Sequence, residues 1–306
     1  QAVMTTASGR TPTVTLAQLE KLGITGVTAD NLAAIVQAIA GTADNGSEVS
    51  SLSTLQAAAT TAATAAADAL SLISSAADAN TATTTRPAVA DYVAAGITGV
   101  TTSNLAAITS ALNDGDIASA SVDTSAELQT LVNSYNAILA AADGTAGSTA
   151  PAASDYANIG VSGFDAMASM APTAAAKLSL LGNVIDGKLN TDVDTVDEVQ
   201  ALADAVQAVM TTAAGGTPTV TDTQLALLGI TGVNANNFAD IMAAIAGTAN
   251  DGSAVSSLST LQALVNNVND APINTVPTAQ TVSEDTDLVI TGLSVSDADI
   301  ASSDTM

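Results

Sequence analysis

Internal repetition constrains this chain more than any other feature of its sequence. Residues 1–57 align without gaps to residues 207–263, and about 42 of these 57 positions are identical. A shorter period lies inside this long one. The tetrapeptide Gly-Ile-Thr-Gly begins at Gly23, Gly96 and Gly229, and a variant, Gly-Val-Ser-Gly, begins at Gly160. Successive turns are therefore 73, 64 and 69 residues apart, a spacing that is typical of repeat proteins.

The four turns divide the chain into helical repeats. Our boundaries for repeats 1 to 4 are 15–86, 87–150, 151–216 and 217–270. Residues 1–10 match the end of repeat 3, 207–216, and we interpret residues 1–14 as the tail of a preceding helical repeat. Residues 271–306 differ in character and form a separate C-terminal segment. Because the sequence begins within a repeat, we expect the parent chain to continue in both directions.

Each repeat contains three stretches with helical periodicity. In repeat 1, Leu16, Leu19 and Leu22 fall on one face of a short first helix, and Gly23 is placed to cap it in the left-handed conformation. The second helix is predicted to follow an N-cap at Thr28. The corresponding N-caps in repeats 2 and 4 are Thr101 and Asn234.

The third helix begins with a capping box in two repeats. Thr124 with Glu127, and Thr195 with Glu198, fit the pattern in which a threonine and a glutamate three residues later satisfy each other's backbone N–H groups. The sequence therefore predicts a mainly α protein with tandem small three-helix-bundle repeats in a row. A core of about 65 residues is marginal by itself, so neighbouring repeats either share an interface or form a string of independent beads.

Composition excludes several functional classes. The chain has 30 acidic and 5 basic residues, and such a surface repels nucleic acid and anionic membranes. Histidine and cysteine are absent, which removes the commonest general base, the Ser-His-Asp triad and any disulfide. No stretch is apolar enough to predict membrane insertion. We therefore expect no enzyme, no nucleic-acid partner and no membrane-spanning segment.

The C-terminal segment changes from helical to β character. Prolines at 272 and 277 end the helical pattern, and short strands are predicted at 281–283, 288–290 and 293–295. The motifs NDAP, SEDT and SDAD in this segment resemble the opening of cadherin-like or VCBS-type repeats of large bacterial surface proteins. The resemblance covers about 36 residues and implies the start of a β-sandwich, incomplete within 271–306.

The same resemblance implies calcium as a cofactor. Calcium takes six to eight oxygen ligands, and carboxylates supply many of them. Carried over by position, the candidate metal ligands are Asp270, Glu284, Asp285, Asp297 and Asp299. The alternative for these acidic residues is that they only solvate loops.

The helical repeats are also similar to the Ala/Thr/Asp-rich repeats of RTX-type adhesins, which implies an extracellular location at a bacterial cell surface. Two function classes follow. The first is a structural spacer of a secreted surface adhesin or extracellular filament, whose partners are neighbouring repeats or copies of itself. The second is a binding module for a host protein, a glycan or a neighbouring copy, acting in cell adhesion or biofilm. A binding module needs an exposed apolar cluster, and its only aromatic candidates are Tyr92, Tyr135, Tyr156, Phe164 and Phe238.

Overall fold

A computed structural model describes residues 1–8, 14–42, 46–79, 86–113, 117–163, 171–215, 219–268, 273–285 and 287–296. The chain forms two compact units. The first comprises residues 1–170 together with 182–203, and the second comprises residues 171–181 together with 204–306.

The described chain is mainly helical, as the sequence predicts, and it carries one small antiparallel sheet. In chain order the α-helices are α1 (Ala2–Ala7), α2 (Leu16–Lys21), α3 (Ala29–Ala40), α4 (Leu52–Ala79), α5 (Val89–Ala94), α6 (Leu105–Leu112), α7 (Ser125–Ala141), α8 (Ala153–Asn158), α9 (Ala171–Asp186), α10 (Val196–Ala213), α11 (Asp222–Leu227), α12 (Phe238–Ala246) and α13 (Leu258–Asn266). Short 3₁₀ helices precede the third helix of each repeat, at Ser47–Val49, Ser119–Ser121, Asn190–Asp192 and Ser253–Val255.

The first helix of every repeat ends in the same way. After α2, the N–H of Gly23 donates to the carbonyl of Glu20 at 2.9 Å, and the N–H of Ile24 donates to that of Leu19 at 3.1 Å. This pair of bonds is a Schellman motif, and it requires the positive φ of 83° at Gly23. Leu19 and Ile24 are both buried. The equivalent backbone bonds close α5, α8 and α11, so the predicted glycine caps are confirmed in all four repeats.

The hydrogen bonds of the predicted N-caps of the second helix are present at Thr28 and Asn234 but not at Thr101. The Thr28 hydroxyl accepts from the N–H of Asn31, and α3 begins at the next residue, Ala29. The Asn234 side chain accepts from the N–H groups of Asn236 and Asn237 at 2.8 and 3.3 Å, whereas the Thr101 hydroxyl donates to the Asn104 side chain at 3.1 Å. Both α6 and α12 begin four residues after the predicted cap. There, Asn104 and Asn237 turn their side chains back to accept from the N–H of the predicted cap, at 2.7 and 2.8 Å. The intervening residues form a turn and not the first turn of a helix.

Both predicted capping boxes of the third helix are present. The Thr124 hydroxyl accepts from the N–H of Glu127 at 3.2 Å, and the Glu127 carboxylate accepts from the N–H of Thr124 at the same distance. Thr195 and Glu198 exchange the same two bonds at 3.3 and 3.0 Å. These contacts are local in sequence, which explains why the sequence predicts them.

The core of repeat 1 reaches outside the predicted repeat boundary. Val3 and Ala7 of α1 belong to one buried cluster with Ile35 and Ile39 of α3. The same cluster contains Leu19, Val49 and Leu55, which come from the rest of the repeat. With Val14, which belongs to the same cluster, the segment 1–14 therefore contributes three core side chains to repeat 1.

Repeat 2 is completed in the same manner by the helix before it. The long helix α4 packs against α3 of its own repeat and also against α5, α6 and the 3₁₀ helix Ser119–Ser121 of the next one. Gly96 in the turn of repeat 2 lies so close to α3 that a Cβ atom there would stand 2.6 Å from the Ala34 backbone nitrogen. Likewise, α7 packs against α8 of repeat 3. Within the first compact unit, the third helix is thus shared between successive repeats.

The second compact unit contains a core with the same residue pattern. Every member of the repeat 1 cluster has a buried counterpart 206 residues later, from Val209 and Ala213 through Ile241 and Ile245 to Val265. The single change in side-chain type within this set is Ala59, which Val265 replaces. The long-period repetition of the sequence therefore preserves a set of core positions.

The C-terminal segment forms a two-stranded ribbon. Strand β1 (Ile273–Thr275) pairs antiparallel with β2 (Ser294–Ser296), with Asn274 opposite Val295. The predicted strand at 293–295 is confirmed to within one residue, whereas 281–283 and 288–290 are wrong because they form no ladder. All described residues of 273–296 are exposed except the half-buried Pro277. A strand gains little without a partner strand and a buried face, and the described segment supplies neither to the two middle stretches.

Candidate functional site

The predicted calcium ligands are only partly described by the structure. Asp270, Asp297 and Asp299 lie outside the described residues. Glu284 and Asp285 are both exposed and adjacent in a turn, where Asp285 has a φ of 62°. Two neighbouring carboxylates supply a minority of the oxygens that calcium takes. Within the described ranges, no group of three or more acidic, histidine or cysteine residues is placed to hold a metal ion. Calcium at this segment stays a prediction.

The most regular polar contact in the protein joins the turn to the third helix. In repeat 2, the side-chain oxygen of Gln129 accepts from the N–H of Thr98 at 2.9 Å, and its amide nitrogen donates to the carbonyl of Thr98 at 3.0 Å. Gln56 holds Thr25 in the same way, at 2.9 and 3.1 Å. We call this pair of bonds the glutamine clamp. It satisfies two backbone groups that the turn leaves without partners.

The full clamp recurs in repeat 4, and its bond to the turn N–H recurs in repeat 3. Gln262 accepts from the N–H of Thr231 at 2.9 Å and donates to its carbonyl at 3.0 Å. In repeat 3, Gln200 accepts from the N–H of Ser162 at 2.8 Å. The sequence analysis did not predict the clamp. A signal for it exists in the sequence, since the glutamine follows the turn threonine by 31 residues in three repeats.

A second recurring contact is made by an asparagine at the start of the second helix. The amide nitrogens of Asn31, Asn104 and Asn237 each donate to the carbonyl of the last glycine of the turn, at 2.8 Å in every case. The side-chain oxygen of each one also accepts from a backbone N–H three residues earlier. These asparagines and the clamp glutamines bind the backbone of their own repeat. They therefore organise the turn, and Asn104 in addition lines a pocket.

A polar pocket of about 520 Å³ lies in the first compact unit. It is lined by Ser103, Asn104, Asn136, Leu139, Ala140, Asp143, Asn190, Thr191 and Asp194. Asn136 donates to the Gly99 carbonyl at 3.0 Å and accepts from Asn104 at 2.7 Å. With its amide nitrogen facing the end of α7, Asn190 donates to the carbonyls of Leu139 and Ala142. No aromatic residue lines this pocket, so it has no platform on which a sugar ring would stack.

Asp143, one of the two acidic residues that line this pocket, and Asp186, which is not part of its lining, both bind backbone groups. The Asp143 carboxylate accepts from the N–H and the hydroxyl of Thr145, and these bonds hold the pKa of Asp143 below its ordinary value. Asp186 accepts from the N–H groups of Gly147 and Ser148, at 2.9 and 2.8 Å. Both carboxylates order the loop that connects repeats 2 and 3, which is a structural role.

The aromatic candidates for a binding surface are mostly inside the protein. Tyr92, Tyr135 and Tyr156 are fully buried, and burial raises the pKa of each hydroxyl above its ordinary range. The Tyr135 hydroxyl donates to the carbonyl of Val193 at 3.2 Å. Phe238 is half-buried, and Phe164 lies outside the described residues. Three of the five aromatic side chains are therefore core residues.

One basic side chain occupies a protected position in the second compact unit. Lys177 on α9 is only 6% exposed. Burial lowers the pKa of its ammonium group, and the nearby carboxylate of Asp204 acts in the opposite direction.

The comparisons with known proteins are negative. No family model, no curated protein and no solved structure matches this chain. Among the helices that the structure describes, none combines the length and the apolar character needed to span a bilayer.

Proposed function

We propose that this chain is a structural spacer, built of tandem helical repeats, in a large secreted bacterial surface adhesin or extracellular filament, and that it has no catalytic role. The observation that carries the proposal is the glutamine clamp. The polar residues that recur from repeat to repeat are bonded to the backbone of their own repeat. What the repeats have in common is thus a scaffold and not a set of ligand-binding side chains.

The shared helices support the same proposal. Because α4 packs against helices of repeats 1 and 2, each repeat stabilises the next, as in stacked repeat proteins. We therefore favour a row of helical repeats with common helices over a string of independent bundles. Packing between neighbouring repeats stiffens the segment, as a spacer that keeps two parts of a protein apart requires.

The surface chemistry is also that of a spacer. The chain carries 30 acidic and 5 basic residues, and repulsion between like charges keeps such a protein soluble and separate from anionic surfaces. We propose an extracellular location at a bacterial cell surface, with neighbouring repeats or other copies of the chain as partners. We further propose that 271–306 begins a cadherin-like β-sandwich that binds calcium.

The alternative is a binding module for a host protein, a glycan or a neighbouring copy. Such a module needs a contiguous exposed apolar patch. The large apolar side chains exposed on the described helices and their connecting loops number at most two in any repeat: Met4, Leu22, Leu52, Val93, Leu189 and Leu227. Eight more are exposed on the described C-terminal segment, between Ile273 and Val295. With the three tyrosines buried as well, the surface of the described helices favours the spacer.

Small-angle X-ray scattering on a lengthened chain tests the spacer. Residues 58–263 are inserted a second time after Ala263, so the new junction repeats the native Ala57–Ala58 sequence. A globule of either length follows the compact scaling law, and its radius of gyration rises only from about 19 to about 24 Å. A spacer lengthens in proportion to its residues, about 1.7-fold. Growth of about 1.2-fold contradicts the proposal.

Calcium binding is tested separately by isothermal titration calorimetry of the chain with calcium chloride. We expect binding that weakens when Glu284→Gln and Asp285→Asn are introduced together. The matched control is Asp222→Asn, an exposed acidic residue at the start of α11. Equal heats for the parent chain and the double variant contradict a role for these two residues.

A further inference from the structure

The segment that leads into α10 is held by side chains of the preceding repeat. It runs from Lys188 to Val196, and we call it the strap. The Tyr135 hydroxyl on α7 donates to the Val193 carbonyl at 3.2 Å, and the Ser110 hydroxyl on α6 accepts from the N–H of Val196 at 3.1 Å. Val193 and Val196 are both buried, so the strap is part of the interior at these two points.

Further bonds fasten the beginning of the strap. The N–H of Gly144 donates to the carbonyl of Lys188 at 3.0 Å. Asn190 donates to two carbonyls at the end of α7, at 2.6 and 2.7 Å. Just before the strap, the Asp186 carboxylate accepts from the two N–H groups of Gly147–Ser148. Since repeat 2 ends at residue 150 in our boundaries, all of these bonds join repeat 2 to repeat 3.

The two hydroxyl groups that hold the strap are specific to repeat 2. Tyr135 lies six residues after the clamp glutamine, and this position is apolar in repeats 1, 3 and 4: Ala62, Val206 and Val268. Ser110 lies six residues after the recurring asparagine of its turn, and the corresponding residues of repeats 1 and 4 carry no hydroxyl: Gln37 and Ala243. The two hydroxyl bonds therefore belong to the joint between repeats 2 and 3.

Hydrogen bonds restrict this joint more narrowly than apolar contacts do. Burial of apolar surface is non-directional, whereas a hydrogen bond needs a donor–acceptor distance of about 3 Å and a limited range of angles. A buried polar network whose members are satisfied therefore fixes one arrangement. Because repeat 2 holds the strap near both of its ends, we expect these bonds to break together.

We propose that the strap is a lock that fixes repeat 3 on repeat 2, and that the strap, the loop 143–148 and the first turn of α10 open together in one step. The lock makes this joint stiffer than a joint that is closed by apolar contacts alone. The inference rests on the spacer proposal and deepens it, because a spacer keeps its length only if its joints resist bending.

Hydrogen exchange of the full chain, resolved by residue with NMR at low urea concentrations, tests the lock. Tyr135→Phe removes the bond to Val193 and keeps the aromatic ring. We expect exchange at the N–H groups of Val196 and Ser148 to become about five-fold faster or more, although neither group donates to Tyr135. The matched control is Tyr92→Phe, which removes an equally buried hydroxyl that makes no hydrogen bond and should leave both rates unchanged.

A second variant, Ser110→Ala, releases the other end of the strap. It removes the acceptor for the N–H of Val196, and it should accelerate exchange at Ser148 as well, because the proposed opening is a single step. Acceleration confined to the amides next to each substitution overturns the lock. Unchanged exchange in both variants, or an equal effect of Tyr92→Phe, overturns it too. These rates do not depend on how the lengthened chain scatters, so failure of the lock and failure of the spacer are distinguishable.

Discussion

Gly96 provides a direct measure of how closely successive repeats pack. It has a φ of +78°, and an added Cβ would lie 2.6 Å from the Ala34 nitrogen and 2.9 Å from the Ala33 Cβ. Gly23 and Gly229 hold the same position in their own repeats, with φ of +83° and +88°, and nothing lies within 4 Å of a Cβ at either. The three glycines therefore share a conformation and differ in the space around them.

The expected magnitudes follow from this difference. Alanine in a left-handed conformation costs about 1–2 kcal/mol, and this cost applies to Gly23→Ala, Gly96→Ala and Gly229→Ala alike. Only Gly96→Ala also forces α3 away from the turn, since the contact is to backbone and cannot be relieved by a flexible side chain. Overpacking of this kind costs a further 1–3 kcal/mol, roughly a 5- to 150-fold larger opening constant.

Urea unfolding followed by circular dichroism measures the loss of stability, and hydrogen exchange locates it. We expect Gly96→Ala to increase exchange in both α5 and α3, because the clash lies between them. Gly23→Ala should affect only its own repeat, and Gly229→Ala only the second compact unit. If Gly96→Ala is no more destabilising than the two controls, the close approach of Gly96 to α3 is refuted.

Two further predictions concern polar contacts of repeat 2. Gln129→Ala removes both bonds of the clamp on Thr98, so we expect the free energy of urea unfolding to fall by about 1–2 kcal/mol. The control is Gln207→Ala, which should cost less because the Gln207 amide donates only to a side chain on the same helix. Equal losses for the two variants contradict a special role for the clamp. Thr124→Ala removes a hydroxyl that holds the pKa of Glu127 below its ordinary value. A carboxyl group whose pKa is lowered by folding stabilises the protein at pH values above its pKa in the unfolded chain. This stabilisation is lost as the pH falls through the pKa of the folded state. The difference in melting temperature between the parent chain and Thr124→Ala should therefore become smaller as the pH is lowered. A difference that does not change with pH contradicts the prediction.

Local features of the fold were predictable from the sequence because their partners are close in the chain. The Schellman glycine at Gly23 and the capping boxes at Thr124 and Thr195 each involve residues within about five positions of one another. Such contacts depend on residue type and spacing alone. The exceptions are α6 and α12, which begin four residues after the predicted caps, although their asparagines make the same bond to the cap N–H that Asn31 makes at α3.

The polar contacts that recur in the repeats were harder to predict from the sequence. The clamp joins residues 31 positions apart in three repeats, and a glutamine on an exposed helix face gives no local sign that it bonds to a distant turn. The same holds for the strands. The stretches 281–283 and 288–290 have strand-like residues, but a ladder needs a partner strand, and pattern alone does not supply one.

By itself, the sequence determined the period, the helical class, the capped turns and the acidic surface, since each depends on composition or on neighbours along the chain. Only the tertiary structure decided which helices complete the cores of repeats 1 and 2. Val3 and Ala7 complete the core of repeat 1, and α4 packs into repeat 2. The reason is that one short repeat with small side chains cannot bury enough apolar surface by itself. The preceding helix therefore packs against the repeat and completes its core. Which helix does so depends on proximity in three dimensions and not on neighbours along the chain.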